Sequence, residues 1–335
     1  MRGGAKEEEK EELLQLEIPC NIEYVRIGDC QGLERLSKTF HNLTCLTNLE
    51  IVKCPKLVSL STDNLPPTLR TLCILSCENL ECFLEDKENI NFSSTSLLQS
   101  LEIRECEALK SLAWSGKLPV QLKKLDVLLC PELECLAREI GDNTCLESIS
   151  LWGCRNIKHL PQGLDKLSRL QHICLWDCPN LVRLPEALPN LHHLQVLIIW
   201  ACPRVQNSIG ERGFPTNLTS LSIDDPNISK AVMEWGLHRL TFLTYLHING
   251  SNCTDAASFS QEEIGMKLPP SLIDLTIGNF KNVRKLSSNG FQNLTSLQSL
   301  VMYGCPKLKS IPRKEMLPSL SQLTIWDCPV LKKRD

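Results

Sequence analysis

The amino-acid sequence predicts an α/β solenoid: about thirteen stacked repeats that form a horseshoe with one parallel β-sheet on its concave face. Two observations lead to this prediction. Apolar residues recur with a period close to 24 residues over most of the 335-residue chain, and repeats of this length are typical of solenoids. Within each repeat, a short stretch alternates apolar and variable positions, as a β-strand with one buried face does.

The repeat is clearest between Leu146 and Pro185, where the pattern L-x-x-L-x-L-x-x-C-x-x-L-x-x-L occurs twice at an offset of 24 residues. The same register continues in both directions. Its first place is occupied by Ile22, Leu46, Leu69, Leu98, Leu122, Leu146, Leu170, Leu194, Leu218, Leu243, Leu272, Leu297 and Leu320. The string matches the leucine-rich repeat signature, which allows cysteine at the ninth place. The chain therefore resembles the leucine-rich repeat family.

A single repeat of this kind has too little apolar surface to fold alone. Stacking the repeats buries the apolar places and joins the strands into one sheet, with neighbouring strands about 4.8 Å apart. The segments that return to the next strand contain prolines such as Pro66, Pro161 and Pro269, and proline costs about 3 kcal/mol inside a helix. We therefore expect turns and short 3₁₀ or helical segments, rather than long helices, on the convex face.

The repeat pattern divides the chain into three sections. Residues 1–19 are a charged N-terminal lead, expected to be disordered or a short helix; residues 20–331 form the leucine-rich repeat domain; residues 332–335 are a C-terminal tail. Two repeats are longer than the rest, with surplus residues near Glu85–Ser96 and Cys253–Met266. Insertions in solenoids become loops, often on the binding face, although a loop also tolerates extra length without any function.

Composition and motifs argue against several functions. A net charge of −3 argues against nucleic-acid binding through phosphate contacts. The sequence has no run of 18 apolar residues, so no membrane span is expected, and its N-terminus lacks the apolar region of a secretory signal. Phosphate-binding, zinc-protease and serine-hydrolase motifs are also missing. We expect a protein that is not an enzyme and that needs no cofactor.

Cysteine holds the ninth place in ten of the repeats, just after the strand. There the side chain should be buried as a small apolar group with a weak S–H donor. No C-x-x-C pair or paired histidines suggest a metal site, and neighbouring thiols with parallel Cβ directions are poorly placed for disulfides. Unpaired thiols indicate a reducing compartment, so we expect a cytoplasmic protein. The ten structural cysteines are Cys30, Cys54, Cys77, Cys106, Cys130, Cys154, Cys178, Cys202, Cys305 and Cys328.

Six N-x-S/T sequences argue against a cytoplasmic protein, because they would be glycosylation sites in a secreted protein. Two of them, at Asn42 and Asn293, lie in N-L-T strings that belong to the repeat itself. We therefore interpret these sequences as part of the pattern that leads into the next strand.

The seventh place of each repeat, directly after an inward strand residue, should face the concave side. Tryptophan holds this place in three successive repeats, and tryptophan is enriched at the energetic centres of protein interfaces. Stacking of the indoles on one another is the competing, purely structural interpretation. Asp177 adds a negative charge that suits a partly basic partner. The predicted protein-binding surface consists of Leu128, Trp152, Trp176, Asp177, Trp200, Tyr303 and Trp326.

Three further strings narrow the resemblance: C-P-x-L-x-x-L-P after the strands, L-P-P-T/S-L at Leu65–Leu69 and Leu268–Leu272, and L-x-I-W-x-C-P. Together, over about residues 20–331, they resemble the leucine-rich region of plant intracellular nucleotide-binding disease-resistance proteins of the coiled-coil type. The resemblance implies a cytosolic defence role, with recognition of a pathogen effector or a guarded host protein and autoinhibition of a nucleotide-binding switch domain. The phosphate loop of that switch is absent from this sequence, so the chain itself is not expected to bind nucleotide.

Two other functions remain open at this point. An extracellular leucine-rich-repeat receptor or inhibitor would suit the N-x-S/T sequences, but such plant proteins favour N-x-L-x-G-x-I-P after the strand. A ubiquitin-ligase substrate adaptor also uses cysteine-type repeats, but this sequence has neither an F-box helix bundle nor an I-T-D-x-G-L string.

Overall fold

Thirteen strands, one from each predicted repeat, form a single parallel sheet, so the predicted solenoid is confirmed. The structure, a computed structural model, describes residues 19–61, 65–85, 97–113, 118–137, 140, 145–185, 188–205, 213–224, 236–250, 263–264, 268–286, 291 and 293–331. The lead up to residue 18, the tail at 332–335 and most of the two predicted insertions lie outside the described residues.

Strands of successive repeats are neighbours in the large sheet, and equal places pair, so that Trp152 lies beside Trp176 and Trp176 beside Trp200. In chain order the strands are β1 (Tyr24–Gly28), β2 (Asn48–Val52), β3 (Ser59–Ser61), β4 (Thr71–Leu75), β5 (Cys82–Glu85), β6 (Ser100–Arg104), β7 (Ser111–Ala113), β8 (Lys124–Leu128), β9 (Ser148–Trp152), β10 (His172–Trp176), β11 (Val196–Trp200), β12 (Ser220–Ile223), β13 (Tyr245–Asn249), β14 (Glu263–Ile264), β15 (Asp274–Gly278), β16 (Lys285–Leu286), β17 (Ser299–Tyr303) and β18 (Gln322–Trp326). The large sheet runs in the order β1-β2-β4-β6-β8-β9-β10-β11-β12-β13-β15-β17-β18.

The apolar places of the repeat form the core, as their spacing predicts. In the seventh repeat Leu170, Ile173 and Leu175 are at most 1% exposed. Burial falls at the C-terminal edge, where Leu323 is 47% exposed and its equivalent Leu300 in the preceding repeat is fully buried. The reason is that β18 has a neighbouring strand on one side only.

The strands of the large sheet end just before the eighth place of the repeat. There the backbone enters the left-handed region, with φ between 50° and 69° in eleven repeats. In most of these repeats the N–H of that residue donates to the seventh-place carbonyl of the next repeat, as Asp177 does to Trp200 at 2.9 Å, whereas the N–H of Ala201 donates to Asp224 Oδ1 at 2.8 Å. Only glycine, and sometimes asparagine or aspartate, adopts this conformation easily, so a larger side chain at the eighth place is strained.

The return segments contain short 3₁₀ turns, as expected, at Lys38–Asn42, Leu164–Lys166, Leu188–Asn190, Leu237–Arg239 and Lys314–Met316. Two small parallel sheets, β3-β5-β7 and β14-β16, were not predicted. They arise because stacking also brings equivalent parts of the return segments side by side. Across the described residues, no helix is both long enough and apolar enough to cross a membrane.

Candidate protein-interaction site

Seventh-place tryptophans on the large sheet point away from the core. Trp152, Trp176 and Trp326 are 46%, 41% and 60% exposed, whereas Leu151 and Leu175, one residue earlier in two of the same strands, are fully buried. This alternation follows from the two-residue period of a strand. The structure thus leaves large aromatic side chains on the concave face, where water or a partner can reach them.

The tryptophan rings stack along the direction that runs across the strands. The ring centroids of Trp152 and Trp176 are 5.8 Å apart at an interplanar angle of 43°, and those of Trp176 and Trp200 are 5.1 Å apart at 23°. Near the C-terminal edge, Tyr303 and Trp326 stack at 5.6 Å and 11°. Two aromatic groups therefore exist on the same face, with three repeats between them.

His247 joins the two groups. Its ring lies edge-on against Trp200, with the centroids 4.7 Å apart, and edge-on against Tyr303 at 6.1 Å. Trp200 is half-buried and its indole N–H donates to Ser222 Oγ at 2.6 Å. We name the resulting continuous row the aromatic column. It consists of Trp152, Trp176, Trp200, His247, Tyr303 and Trp326.

His247 was not part of the predicted surface, because that prediction rests on the seventh place of the repeat alone. His247 occupies the fifth place of its repeat, which also points outward. The signal that could have revealed it is the gap in the seventh place, where Asp224, Asn249 and Gly278 interrupt the run of aromatic residues.

Tyr303 reaches across a whole repeat to His247 because Gly278 lies between them. Its hydroxyl group is 3.1 Å from His247 Nε2 and accepts a hydrogen bond from Asn249 Nδ2 at 3.2 Å. A Cβ atom on Gly278 would lie 2.5 Å from the Tyr303 hydroxyl oxygen and closer still to Cζ. The glycine therefore provides the space that the ring occupies.

His247, at the centre of the column, is uncharged at neutral pH. Burial lowers the pKa of His247 to about 4, since the imidazolium form would lose its hydration. The neutral imidazole accepts a hydrogen bond from the Tyr303 hydroxyl group, and Asn249 donates a hydrogen bond to the same oxygen. Burial also raises the pKa of Tyr303. The column is thus a largely apolar surface, and the polar atoms of Trp200, His247 and Tyr303 have partners within the protein.

Two leucines extend the column at its N-terminal end. Leu128, the seventh-place residue, is half-buried, and Leu129 is 42% exposed with a φ of 54°. The Leu129 side chain lies over Gly153, since a Cβ on that glycine would be 2.8 Å from Leu129 Cδ2. Asp177, two repeats further on, has its carboxylate 3.7 Å from the Arg155 guanidinium.

The ninth-place cysteine thiols donate hydrogen bonds to backbone carbonyl groups beneath the strand ends. In all ten repeats the Sγ atom lies 3.2 to 3.8 Å from the seventh-place carbonyl oxygen of the same repeat, as Cys178 does with Trp176 at 3.5 Å. Eight of the ten are buried, and Cys30 and Cys328, in the two terminal repeats, are half-buried. The thiol thus contributes to the same turn that orients the seventh-place side chain.

Burial keeps two of the ninth-place thiols protonated and therefore unreactive at neutral pH. Burial raises the pKa of Cys77 to about 11 and that of Cys154 to about 12, and only the thiolate is a nucleophile or metal ligand. Among the described residues, all seventeen cysteines are thiols that form no disulfide bond. Within the same ranges, no group of three or more histidine, cysteine, aspartate or glutamate residues is placed to hold a metal ion.

Comparison with known proteins finds relatives among plant disease resistance proteins. An Arabidopsis thaliana protein with that name, At3g14460, is 33% identical over 368 aligned residues, which cover 94% of this chain and 22% of the relative. The Arabidopsis thaliana disease resistance protein RPP4 is 30% identical over 121 residues, covering 35% of this chain and 10% of the relative. The chain is a leucine-rich repeat region homologous to plant disease resistance proteins. The resemblance seen in the C-P-x-L-x-x-L-P strings is thereby confirmed.

The fold of this leucine-rich repeat region is also found in solved structures. A leucine-rich repeat protein of Leptospira interrogans, LIC12759, superposes with a TM-score of 0.60 at 20% identity, covering 91% of this chain and 78% of that chain. No family model matches the sequence. The region spans 22% and 10% of the two plant relatives, so it corresponds to a part of each of them.

Proposed function

We propose that this leucine-rich repeat region is the protein-recognition part of a plant defence receptor and that the aromatic column is its contact surface. The observation that carries the proposal is the exposure of Trp152, Trp176 and Trp326 on rigid strands of one sheet face. Exposed apolar patches of this kind mark interaction sites on soluble proteins, and tryptophan dominates the energetics of many interfaces.

The column is ordered before any partner binds. Trp176 has an aromatic neighbour on each side, and its backbone is paired on both sides within the sheet. A partner therefore contacts these rings with little further loss of side-chain entropy. Because neighbouring rings cover much of each ring face, the ring edges point outward, which suits the side chains and carbonyl oxygens of a protein.

The partner we propose is a pathogen effector or a guarded host protein. A nucleotide-binding switch domain, held inactive by this region, is the second proposed contact. The names of the two plant relatives support a defence role. The free thiols of the described cysteines support a cytoplasmic setting. The proposed role is binding, and no catalytic step is assigned to the chain.

The test compares a column variant with a matched exposed aromatic outside the column. Trp176→Ala removes the most central exposed ring, and Phe242→Ala removes a 60% exposed ring that precedes β13. Proteins retained from plant cytosol by the immobilised parent chain are purified, and their dissociation constants for the parent and both variants are measured by biolayer interferometry. We expect Trp176→Ala to weaken binding by about 30-fold or more, the range of an interface hot spot, and Phe242→Ala to bind like the parent.

Equal affinity of the purified partner for Trp176→Ala and the parent would show that the column is not the recognition surface. The two insertions around Glu85–Ser96 and Cys253–Met266 would then become the next candidates.

A further inference from the structure

We infer that the N-terminal end of the column docks an amphipathic helix that carries basic residues beside its apolar stripe. We name this patch the helix site; it consists of Leu128, Leu129, Trp152 and Trp176. The inference rests on the proposed function, because it names the kind of protein segment that the same surface takes. Four observations support it: an exposed leucine, the spacing of the rings, the exposed area and the charges along one rim.

Leu129 is exposed and strained at the same time. Among the thirteen eighth-place residues of the chain it is the one large apolar residue; the others are glycine, alanine or polar residues. Its φ of 54° lies in the region that leucine avoids, and its side chain is 42% exposed. Ten other eighth-place residues share this backbone conformation, so the feature specific to Leu129 is an exposed apolar side chain at a place that is otherwise small or polar. Leu129 thus marks this end of the column as a contact surface.

The spacing of the rings matches the pitch of an α-helix. The centroid separations of 5.8 Å between Trp152 and Trp176 and of 5.1 Å between Trp176 and Trp200 bracket the helical rise of about 5.4 Å per turn. Side chains one turn apart on a helix lying across the strands would therefore contact the outward edges of successive rings. Same-face residues of an extended strand are about 6.6–6.8 Å apart. Because this distance exceeds the ring spacing, such residues would no longer align with the rings after two contacts.

The exposed area also suits a helix. Trp152, Trp176 and Leu129 are 46%, 41% and 42% exposed, which amounts to about 300 Å² of apolar surface. A stable interface with a second copy of the chain would need about 800 Å² on each side. The apolar face of a helix of about three turns covers an area similar to the roughly 300 Å² that is exposed here.

Two carboxylates lie on the same rim as Leu129. Glu105 is the eighth-place residue one repeat before it, exposed, with its carboxylate accepting from Ser76 Oγ at 2.8 Å. Asp177 is the eighth-place residue two repeats after it, and its partner Arg155 is 68% exposed at 3.7 Å, a weak pairing in water. These acids lie about 5 and 10 Å from Leu129 along the solenoid, close to one and two helical turns. Lysine or arginine at those positions of the helix would complement them.

The experiment selects peptides without presupposing their structure. A phage-displayed library of random peptides of about 16 residues, enough for four helical turns, is selected on the parent chain and counter-selected on Leu129→Gly. Glycine suits the left-handed backbone at this place, so the variant folds while the apolar side chain is absent. We expect the enriched peptides to carry apolar residues at i, i+3 or i+4, and i+7, with lysine or arginine beside them.

Synthetic versions of the enriched peptides provide the quantitative test. Their affinity for Leu129→Gly and for Trp176→Ala should fall by about tenfold or more, and their affinity for Phe242→Ala should equal that for the parent. Circular dichroism should show helix formation on binding. Enriched peptides that alternate with a period of two, or the absence of any motif above the counter-selection, would overturn the inference.

The outcomes separate this inference from the proposed function. If Trp176→Ala weakens binding of the cytosolic partner while the enriched peptides alternate with a period of two, the proposed recognition surface is supported and the proposed helical ligand is wrong. If Trp176→Ala changes the affinity of neither the partner nor the peptides, both the proposed function and the proposed helical ligand are wrong.

Discussion

Replacement of Gly278 by alanine should displace the Tyr303 ring and break the aromatic column between His247 and Trp326. The new Cβ would lie 2.5 Å from the Tyr303 hydroxyl oxygen and from Cε1, distances that non-bonded atoms do not tolerate. The atoms in its way belong to the far end of a flexible side chain. We therefore expect the ring to swing towards solvent while the sheet stays closed.

The magnitude follows from the contacts that the ring loses. Its hydrogen bonds with His247 and Asn249 are worth about 0.5–1.5 kcal/mol each, and its stacking on Trp326 adds about 0.5–1.5 kcal/mol. Alanine is better than glycine in a strand by about 0.5–1 kcal/mol, which offsets part of the loss. We expect Gly278→Ala to lower the free energy of unfolding by about 1–3 kcal/mol.

The assay is urea unfolding of the parent, Gly278→Ala, Tyr303→Ala and the double variant. If alanine acts by displacing the ring, its cost should vanish once the ring is gone, so Gly278→Ala should be neutral or slightly stabilising in the Tyr303→Ala background. An equal loss in both backgrounds would refute the reasoning, because the cost would then come from the backbone of β15 itself.

Three further predictions concern the core and the thiols. Leu175→Ala should destabilise the protein by about 2–5 kcal/mol through lost burial and a cavity, whereas Trp176→Ala should cost much less; equal losses in thermal unfolding would mean that the column is structural. Stability should fall as the pH rises above about 9, because folded Cys77 and Cys154 keep their protons to about 11 and 12, while the unfolded thiols, with an ordinary pKa near 9, have lost theirs. Urea midpoints measured from pH 8 to pH 11 check this, and a constant midpoint would contradict it. Thiol titration of the denatured, unreduced protein should find nearly all eighteen cysteines free, and several disulfides would contradict the cytoplasmic proposal.

The aromatic column shows how far the sequence leads. Trp152, Trp176 and Trp200 could be assigned to one face because the repeat register and the two-residue period of a strand set the direction of each side chain. His247 could not be placed in the same row, because its neighbours Trp200 and Tyr303 come from repeats two positions away on either side. The binding role of the column and of the two insertions stays a prediction.

The sequence by itself determined the thirteen repeats, the parallel register and the inward residues such as Leu175, because all of these follow from the period of the chain. Only the tertiary structure decided that Tyr303 lies across Gly278 and that Leu129 lies over Gly153. A repeat pattern states which way a side chain points. How far that side chain leans depends on the space that its neighbours leave, and that space exists only after the repeats have stacked.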